Sequence, residues 1–289
     1  MKFCVIANPE KYTIQESLER VVAWCESHNC TLYLLEKLHR QYPEITSSRF
    51  VEVTASEEEA VEASDIVVAL GGDGTMLHTA HLVKEKDRPV LGVNSGRLGF
   101  MANIQPELVD NALTAILKND YYIDERKLLK AVTASGSEHY ALNEFLFTKK
   151  DSASLITLTA SYNGQLINHY WADGLIISTP TGSTAYNLSA GGPIILPSTS
   201  VVALTPIHPH TLTTRPLILP SDGVIRVRSE EDSSHLLFSY DGKMVETGEK
   251  FDIEIKQGDF SIQLIQFPGY TFFKTLRNKL MWGMDKRKI

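Results

Sequence analysis

The chain has 289 residues, 43% of them hydrophobic and 22% charged, with a formal net charge of -7. That composition fits a globular protein with one large or two ordinary domains. The acidic balance argues against a nucleic-acid binder that works through a broad basic face. Cys4, Cys25 and Cys30 show no C-x-x-C spacing and read as free thiols in a reducing compartment. No run reaches the ~18 apolar residues of a membrane span, and the apolar N-terminus is too short for a signal peptide. A cytoplasmic protein with neither membrane nor nucleic-acid partners is expected.

Residues 3–7 read as a first strand, ended by Asn8-Pro9. Thr13 with Glu16 forms a capping box ahead of a helix whose buried face carries Ile14, Leu18, Val21, Val22 and Cys25. Residues 31–35 are a second strand, and residues 39–50 carry no periodicity and read as a loop. Ser56 with Glu59 is another capping box, opening a short acidic helix. The apolar run Ile66-Val67-Val68-Ala69-Leu70 is a buried strand. It leads without a break into Gly71-Gly72-Asp73-Gly74-Thr75. A helix follows, with Met76, Leu77, Ala80 and Val83 on one face. Residues 89–93 are a further buried strand, and residues 106–118 a helix. Strands alternating with helices predict a parallel sheet covered by helices, with ligands at the carboxyl ends of its strands.

The pattern changes near residue 121. Strands are expected at 129–133, 140–147, 155–162, 175–178, 201–204, 224–227, 235–240, 251–255 and 261–265, with no helix among them. Asn163-Gly164, Asp222-Gly223, Asp241-Gly242 and Gln257-Gly258-Asp259 read as the turns between them. Residues 270–283 return to helix, with Phe273, Leu276 and Leu280 on one face, and the basic end at 286–288 suits a helix C-terminus. The expected fold is an α/β N-terminal domain, a parallel sheet with helices, at 1–121. A β-rich C-terminal domain occupies 122–266, and a C-terminal helix at 267–289 packs back on the N-terminal domain.

Four stretches carry chemistry. In the first, the glycines let backbone approach a ligand, and the N–H groups of Gly71, Gly72, Gly74 and Thr75 offer phosphate an anion site at a helix N-terminus. His78 falls one helical turn further on. Asp73, a carboxylate inside that turn, repels phosphate unless it holds a metal or takes a proton, a sign of phosphoryl transfer. The turn is neither GK[ST] nor G-x-G-x-x-G. Asn94-Ser95-Gly96-Arg97-Leu98-Gly99-Phe100 is a second glycine turn at a strand end. Asn143-Glu144 interrupts an apolar strand, and a buried pair of this kind suits a base edge or sugar hydroxyls. Ala172-Asp173-Gly174 leads a buried strand into a dense run of hydroxyls and glycines through Gly191-Gly192-Pro193, in which Tyr186 suits stacking on a flat ring. His78 with His81, and His208 with His210, lack a third ligand at compatible spacing, so no metal is assigned by direct protein spacing. Ser183 does not sit in G-x-S-x-G. Asp241-Gly242-Lys243 reads as a hairpin turn that also edges the site.

Together these stretches resemble the NAD kinase family, the ATP–NAD 2′-phosphotransferases, over nearly the whole chain. The ending Phe272-Phe273-x-Thr275-Leu276-Arg277-x-Lys279-Leu280-x-Trp282-Gly283 joins the resemblance. The glycine turn alone is shared with diacylglycerol, sphingosine and phosphofructokinases; the full set is specific. The resemblance implies NAD and ATP as substrates, a divalent cation (Mg or Mn) accompanying ATP, and a homodimer or homotetramer. It implies that Asp73 is the proton acceptor and that Gly74 and Phe100 contact NAD beside it. Asn143 and Glu144 would hold NAD, with Glu144→Gln raising KM for NAD more than for ATP. Asp173 would lie near the nicotinamide end, and Thr184, Ala185, Tyr186 and Ser189 would line the dinucleotide. Asn187, Leu188 and Lys243 are further candidates. The residues leave open whether Asp73 acts as base, metal holder or both. A lipid kinase sharing the glycine turn is the alternative enzyme, and a non-catalytic NAD-binding module the alternative class.

Overall fold

The computed structural model describes residues 1–10, 12–96, 98–150, 155–229, 235–246 and 251–282. The chain divides into two compact units: Met1–Glu125 together with the chain from Ile262 onward, and Arg126–Ser261.

The first unit starts at β1 (Lys2–Ala7), in which Phe3, Cys4, Val5 and Ile6 are all buried. α1 (Gln15–His28) buries Leu18, Val21, Val22 and Cys25, and ends where Asn29, left-handed at φ 53, sends its N–H to the carbonyls of Cys25 and Glu26. The expected Thr13–Glu16 capping box does not form. The chain enters through a 3-10 turn, Tyr12–Ile14, so that Ile14 is the cap, with no side-chain bond. After β2 (Thr31–Leu35), the expected loop at 39–50 is instead largely ordered into α2 (Glu36–Gln41) and α3 (Pro43–Thr46), followed by β3 (Val51–Thr54). These elements are too short to show a period. Pro43 starts α3, and the burial of Leu38 and Tyr42 ties the segment to the core.

α4 (Glu57–Ala63) does start on its capping box: Ser56 Oγ accepts from Glu59 N at 3.2 Å, and Glu59 Oε2 accepts from Ala55 N at 3.2 Å. β4 (Ile66–Leu70) is wholly buried and feeds α5 (Asp73–Val83). β5 (Val90–Val93) and α6 (Val109–Leu117) follow. The strands pair in parallel in the order β3-β2-β1-β4-β5. That order reverses between β1 and β4, which opens a crevice beyond their carboxyl ends.

The second unit is antiparallel. β6 (Tyr122–Thr133) leads into it and pairs with β7 (Glu138–Ala141). Next come β8 (Glu144–Lys149), β9 (Ile156–Tyr162), β10 (Gln165–Ala172), β11 (Gly174–Ser178), the short α7 (Tyr186–Ser189), β12 (Val201–Ile207) and β13 (Leu217–Pro220). β14 (Ile225–Arg228), β15 (Leu236–Tyr240), β16 (Lys243–Val245) and β17 (Asp252–Gln266) complete the set. One sheet runs β13-β12-β11-β8-β15-β16, and β10-β9-β14-β17 run side by side in another. Phe145, Phe147, Leu175 and Phe238 from the first pack in one core with Leu158, Val227 and Ile253 from the second.

Several expectations are corrected here. The strand expected at 140–147 is two strands that belong to different sheets, so Asn143 sits at a bend and Glu144 at a strand start. Gln257-Gly258-Asp259 is not a turn; β17 runs straight through it, and a Cβ at Gly258 would press on the Leu128 carbonyl at 3.1 Å, so the glycine serves close approach of backbones. β10 is additional, its alternation hidden by a bulge between Leu166 and Asn168. β13, β16 and the single turn of α7 are additional too.

The end of β17 rejoins the first unit, with Leu264 beside Val90 in parallel. α8 (Phe272–Leu280) follows and buries Thr275 and Leu276, while Phe273, expected on the inner face, is 55% exposed. The basic end at 286–288 lies outside the described residues. No helix among the described residues is long and apolar enough to cross a membrane.

Candidate active site

The turn from β4 to α5 is built by sterics. A Cβ on Gly71 would fall on the Thr75 hydroxyl, so the chain can fold back there only without one. Gly71 N–H bonds the Val93 carbonyl at 2.9 Å, which ties the turn to β5. Gly72 caps α5, and a Cβ at Gly72 or Gly74 would meet only open space. Thr75 N and Met76 N turn inward to the Gly72 carbonyl at 3.0 and 3.1 Å, and the bare glycines leave room for an anion beside the helix N-terminus.

Asp73 opens α5, and its carboxylate is gripped from the second glycine turn. Oδ2 accepts from Phe100 N at 3.0 Å, and Oδ1 accepts from Met101 N at 2.9 Å and Ala102 N at 3.4 Å. Gly99 is required for this, because a Cβ there would overlap the Asp73 carboxylate. The two glycine turns are thus in direct contact; Arg97, within the second, lies outside the described residues. A cation completes the grip: Lys279 Nζ, from α8, stands 3.0 Å from Asp73 Oδ2 and 4.8 Å from the centre of the Phe100 ring. Burial alone would raise the Asp73 carboxyl. The Met101 and Phe100 N–H groups and the Lys279 ammonium outweigh it and hold the group below its usual value. Lys279 stands in the family-like ending but had no role by sequence, because nothing in a motif indicates which distant helix residue reaches an acid.

Beyond the carboxyl ends of β1 and β4 lies a cavity of about 530 Å³, lined among others by Asn8, Lys37, Glu57, Gly74, Thr75 and His78. This is the crevice that the strand order predicts. His78 does reach it, but its Nε2 lies 2.6 Å from Glu57 Oε2. Among the described residues no three His, Cys, Asp or Glu side chains gather as a metal cage. Both Asp73 oxygens already accept hydrogen bonds.

In the second unit, the turn at Asp241 and Gly242 has φ 48 and 79 and closes the hairpin of β15 and β16. It also organises the candidate ligand-binding bend. Asp241 Oδ2 accepts from Leu142 N at 2.8 Å, and Oδ1 accepts from Asn143 N at 2.8 Å and Glu144 N at 3.2 Å. These bonds replace the ladder where the chain changes sheets, and so fix Asn143 and Glu144 on rigid backbone. Gly182 presses on the same bend: a Cβ there would overlap the Asn143 carbonyl. Thr179 N donates to that carbonyl at 2.9 Å. Residues 142–144 and the hydroxyl-rich stretch are therefore one assembly. Burial first, and the Asp241 charge second, push the Glu144 carboxyl up to about 8. Its Oε2 is buried with no hydrogen-bond partner among the described residues.

The hydroxyl-rich stretch divides its labour. Ser183 and Asn187 are fully buried and hold the loop: Ser183 Oγ accepts from Ile195 N at 3.0 Å, and Asn187 accepts from Thr205 Oγ1 at 2.6 Å and donates to the Pro193 carbonyl at 3.1 Å. Asn187, a candidate contact by sequence, is thus occupied with scaffold. Thr184, Ala185 and Leu188 are partly buried, Ser189 is exposed, and Tyr186 is 43% exposed with its ring available for stacking. Lys243 lies in β16 with its ammonium 6.0 Å from the Tyr240 ring. Asp173 is not with Glu144. In the β8–β11 ladder Glu144 faces Ser178, whereas Asp173 precedes Gly174 at the other end, about 17 Å away along the strand. There Asp173 meets Lys149 Nζ at 2.6 Å and His208 Nδ1 at 3.1 Å. The Lys149 bond leads in holding its carboxyl below the usual range, with His208 adding to it. His210 packs instead against Trp171, with ring centres 4.2 Å apart and planes tilted by 37°.

Comparison with known proteins gives a consistent result. Residues 3–121 match the ATP-NAD kinase N-terminal domain model, and residues 142–267 match the ATP-NAD kinase C-terminal domain model. The chain is 36% identical to a NAD kinase of Flavobacterium johnsoniae over 99% of its own length and 100% of the relative's. To a NAD kinase of Porphyromonas gingivalis it is 41% identical over 78% of this chain and 79% of the other. Among solved structures, yeast NADH kinase complexed with NADH has a TM-score of 0.89 at 23% identity, covering 100% of this chain and 90% of that one. An Archaeoglobus fulgidus NAD kinase in complex with ATP has a TM-score of 0.77 at 23% identity, covering 97% and 99%. At that identity the structural likeness speaks for the fold.

Proposed function

The chain belongs to the ATP-NAD kinase family, a family of phosphotransferases, and on that premise we propose that it moves the γ-phosphoryl group of ATP to the 2′-hydroxyl of the adenosine ribose of NAD. The match extends through both domain models, well beyond the glycine turn that lipid kinases share.

The observation that carries the mechanism is a carboxylate fixed at the N-terminus of α5 by three backbone N–H groups. A ribose hydroxyl is a poor nucleophile until its proton is drawn off. Asp73 takes that proton as the ribose oxygen–phosphorus bond forms and the bond from phosphorus to the ADP oxygen breaks. The N–H groups of Gly72 and Gly74 receive the phosphate oxygens. A divalent cation entering on ATP supplies further charge neutralisation when bound. Positioning of this kind is worth roughly 7–11 kcal/mol. Asn143, Glu144, Asp173 and Tyr186 hold NAD in the second unit. Homo-oligomer assembly accords with the exposed Leu166, Trp171, Leu217 and Ile218 on that unit. A cytoplasmic setting accords with three buried free thiols.

Asp73→Asn tests the role. It preserves shape and removes charge, and kcat should fall by about 10²–10⁴ with NAD binding retained. Partial recovery at high Mg²⁺ would mark Asp73 as a metal holder, and near-normal turnover at low Mg²⁺ would overturn both roles.

A further inference from the structure

We propose that Lys279 is the exchangeable partner of Asp73: it holds the carboxylate charged and aimed before the acceptor arrives, then yields its place on Oδ2 to the attacking hydroxyl. This rests on Asp73 being the base.

A carboxylate has about four lone-pair positions. Phe100 N and Lys279 Nζ take those on Oδ2, and Met101 N and Ala102 N those on Oδ1. A hydroxyl that must donate to Asp73 therefore needs one of the four to leave. The three backbone donors are pinned. Gly99 N bonds the Ala102 carbonyl at 3.0 Å, Asn94 N bonds the Ile104 carbonyl at 2.7 Å, and Ile104 N bonds the Gly92 carbonyl at 3.2 Å, which fastens the whole turn to β5. Releasing any of them would unmake the loop.

Lys279 is different. It arrives on a flexible stem from α8, its side chain is about one-third exposed, and its ammonium already lies over the Phe100 ring. That ring gives the cation a place to remain after it leaves the carboxylate. The exchange has a chemical consequence. While Lys279 is paired, the Asp73 proton affinity is low and the group stays ionised; when the ammonium moves off, the affinity rises just as the hydroxyl proton needs an acceptor. Lys279 thus acts through Asp73 and is a positioning residue.

The order of two variants tests the exchange. A lysine with a purely structural role would be rescued by arginine and damaged by methionine. An exchangeable partner predicts the reverse order in KM for NAD. Lys279→Met frees Oδ2, so KM for NAD should fall about 2–5-fold, the range for releasing a partly exposed ion pair, while kcat drops because the carboxylate is no longer aimed. Lys279→Arg clamps the carboxylate with two parallel bonds, so KM for NAD should rise about tenfold with KM for ATP little changed. Melting temperatures of both variants are measured alongside, and Arg keeps the charge should Met fail to fold. Parent-like KM in Lys279→Arg, with or without a tenfold loss of kcat in Lys279→Met, would overturn the exchange. Asp73→Asn distinguishes the two failures: if it turns over normally the reading of Asp73 falls, and if it is inactive while arginine rescues, only the exchange falls.

Discussion

At Glu144 the carboxyl buries its Oε2 near the Asp241 carboxylate, which already has three backbone N–H donors of its own. Glu144, pushed up to about 8, keeps its proton at neutral pH. A neutral carboxyl donates one hydrogen bond and accepts another, and Gln is its near-isosteric mimic. This reverses the expectation from sequence that Gln would be damaging. Glu144→Gln should leave KM for NAD close to the parent at pH 7, whereas Glu144→Ala should raise it roughly 5–100-fold, the range for losing one buried hydrogen-bonding partner. In the parent, NAD affinity should weaken as pH rises through about 8, where the carboxyl ionises. Glu144→Gln should lose that limb. KM measured from pH 6 to 9 checks both, and a Gln variant as poor as Ala at pH 7 would contradict the neutral form. The sign for stability is the same. The folded chain keeps this proton to about 8, while an unfolded chain releases it in the usual carboxylate range, so this group makes stability decline as pH rises between them. At this scale Asp73 was legible, being the one acid within the Gly71–Thr75 turn. Lys279 was not, because its 206-residue separation from Asp73 leaves no trace in local pattern.

Among the elements, the hairpin of β15 and β16 illustrates what local pattern reveals and what it conceals. Asp241-Gly242 is readable as a two-residue turn because both positions need positive φ. Its second task, holding the N–H groups of residues 142–144, spans 97 to 99 residues and is invisible to turn chemistry. Asp241→Ala leaves three partly buried donors without their acceptor. It should lower the melting temperature by several degrees and raise KM for NAD more than KM for ATP. Differential scanning calorimetry with initial-rate kinetics checks this; an unchanged melting temperature with unchanged KM would show the bend is held by other means. The same limit explains α2 and α3. Four to six residues cannot display a 3.6-residue period, and their order comes from Leu38 and Tyr42 docking into the core. The Ser56 capping box was readable and forms, while the one at Thr13 lost to a 3-10 turn.

For the molecule as a whole, the change from βα alternation to antiparallel strands was legible, because buried parallel strands read as unbroken apolar runs and hairpins carry Asn-Gly and Asp-Gly signals. The strand order β3-β2-β1-β4-β5 was not, since pairing order is set by packing at long range, yet it is this order that puts the crevice beside Gly74, Thr75 and His78. We propose that the carboxylate held in this glycine turn serves transfer to a nucleotide hydroxyl. The most direct test incubates the full chain with ATP, Mg²⁺ and NAD and reads product with an enzyme specific for NADP, with diacylglycerol vesicles as the competing acceptor. NADP should accumulate in step with ADP, and the lipid should remain unphosphorylated. Hydrolysis of ATP without NADP, or phosphate appearing on the lipid, would contradict the account.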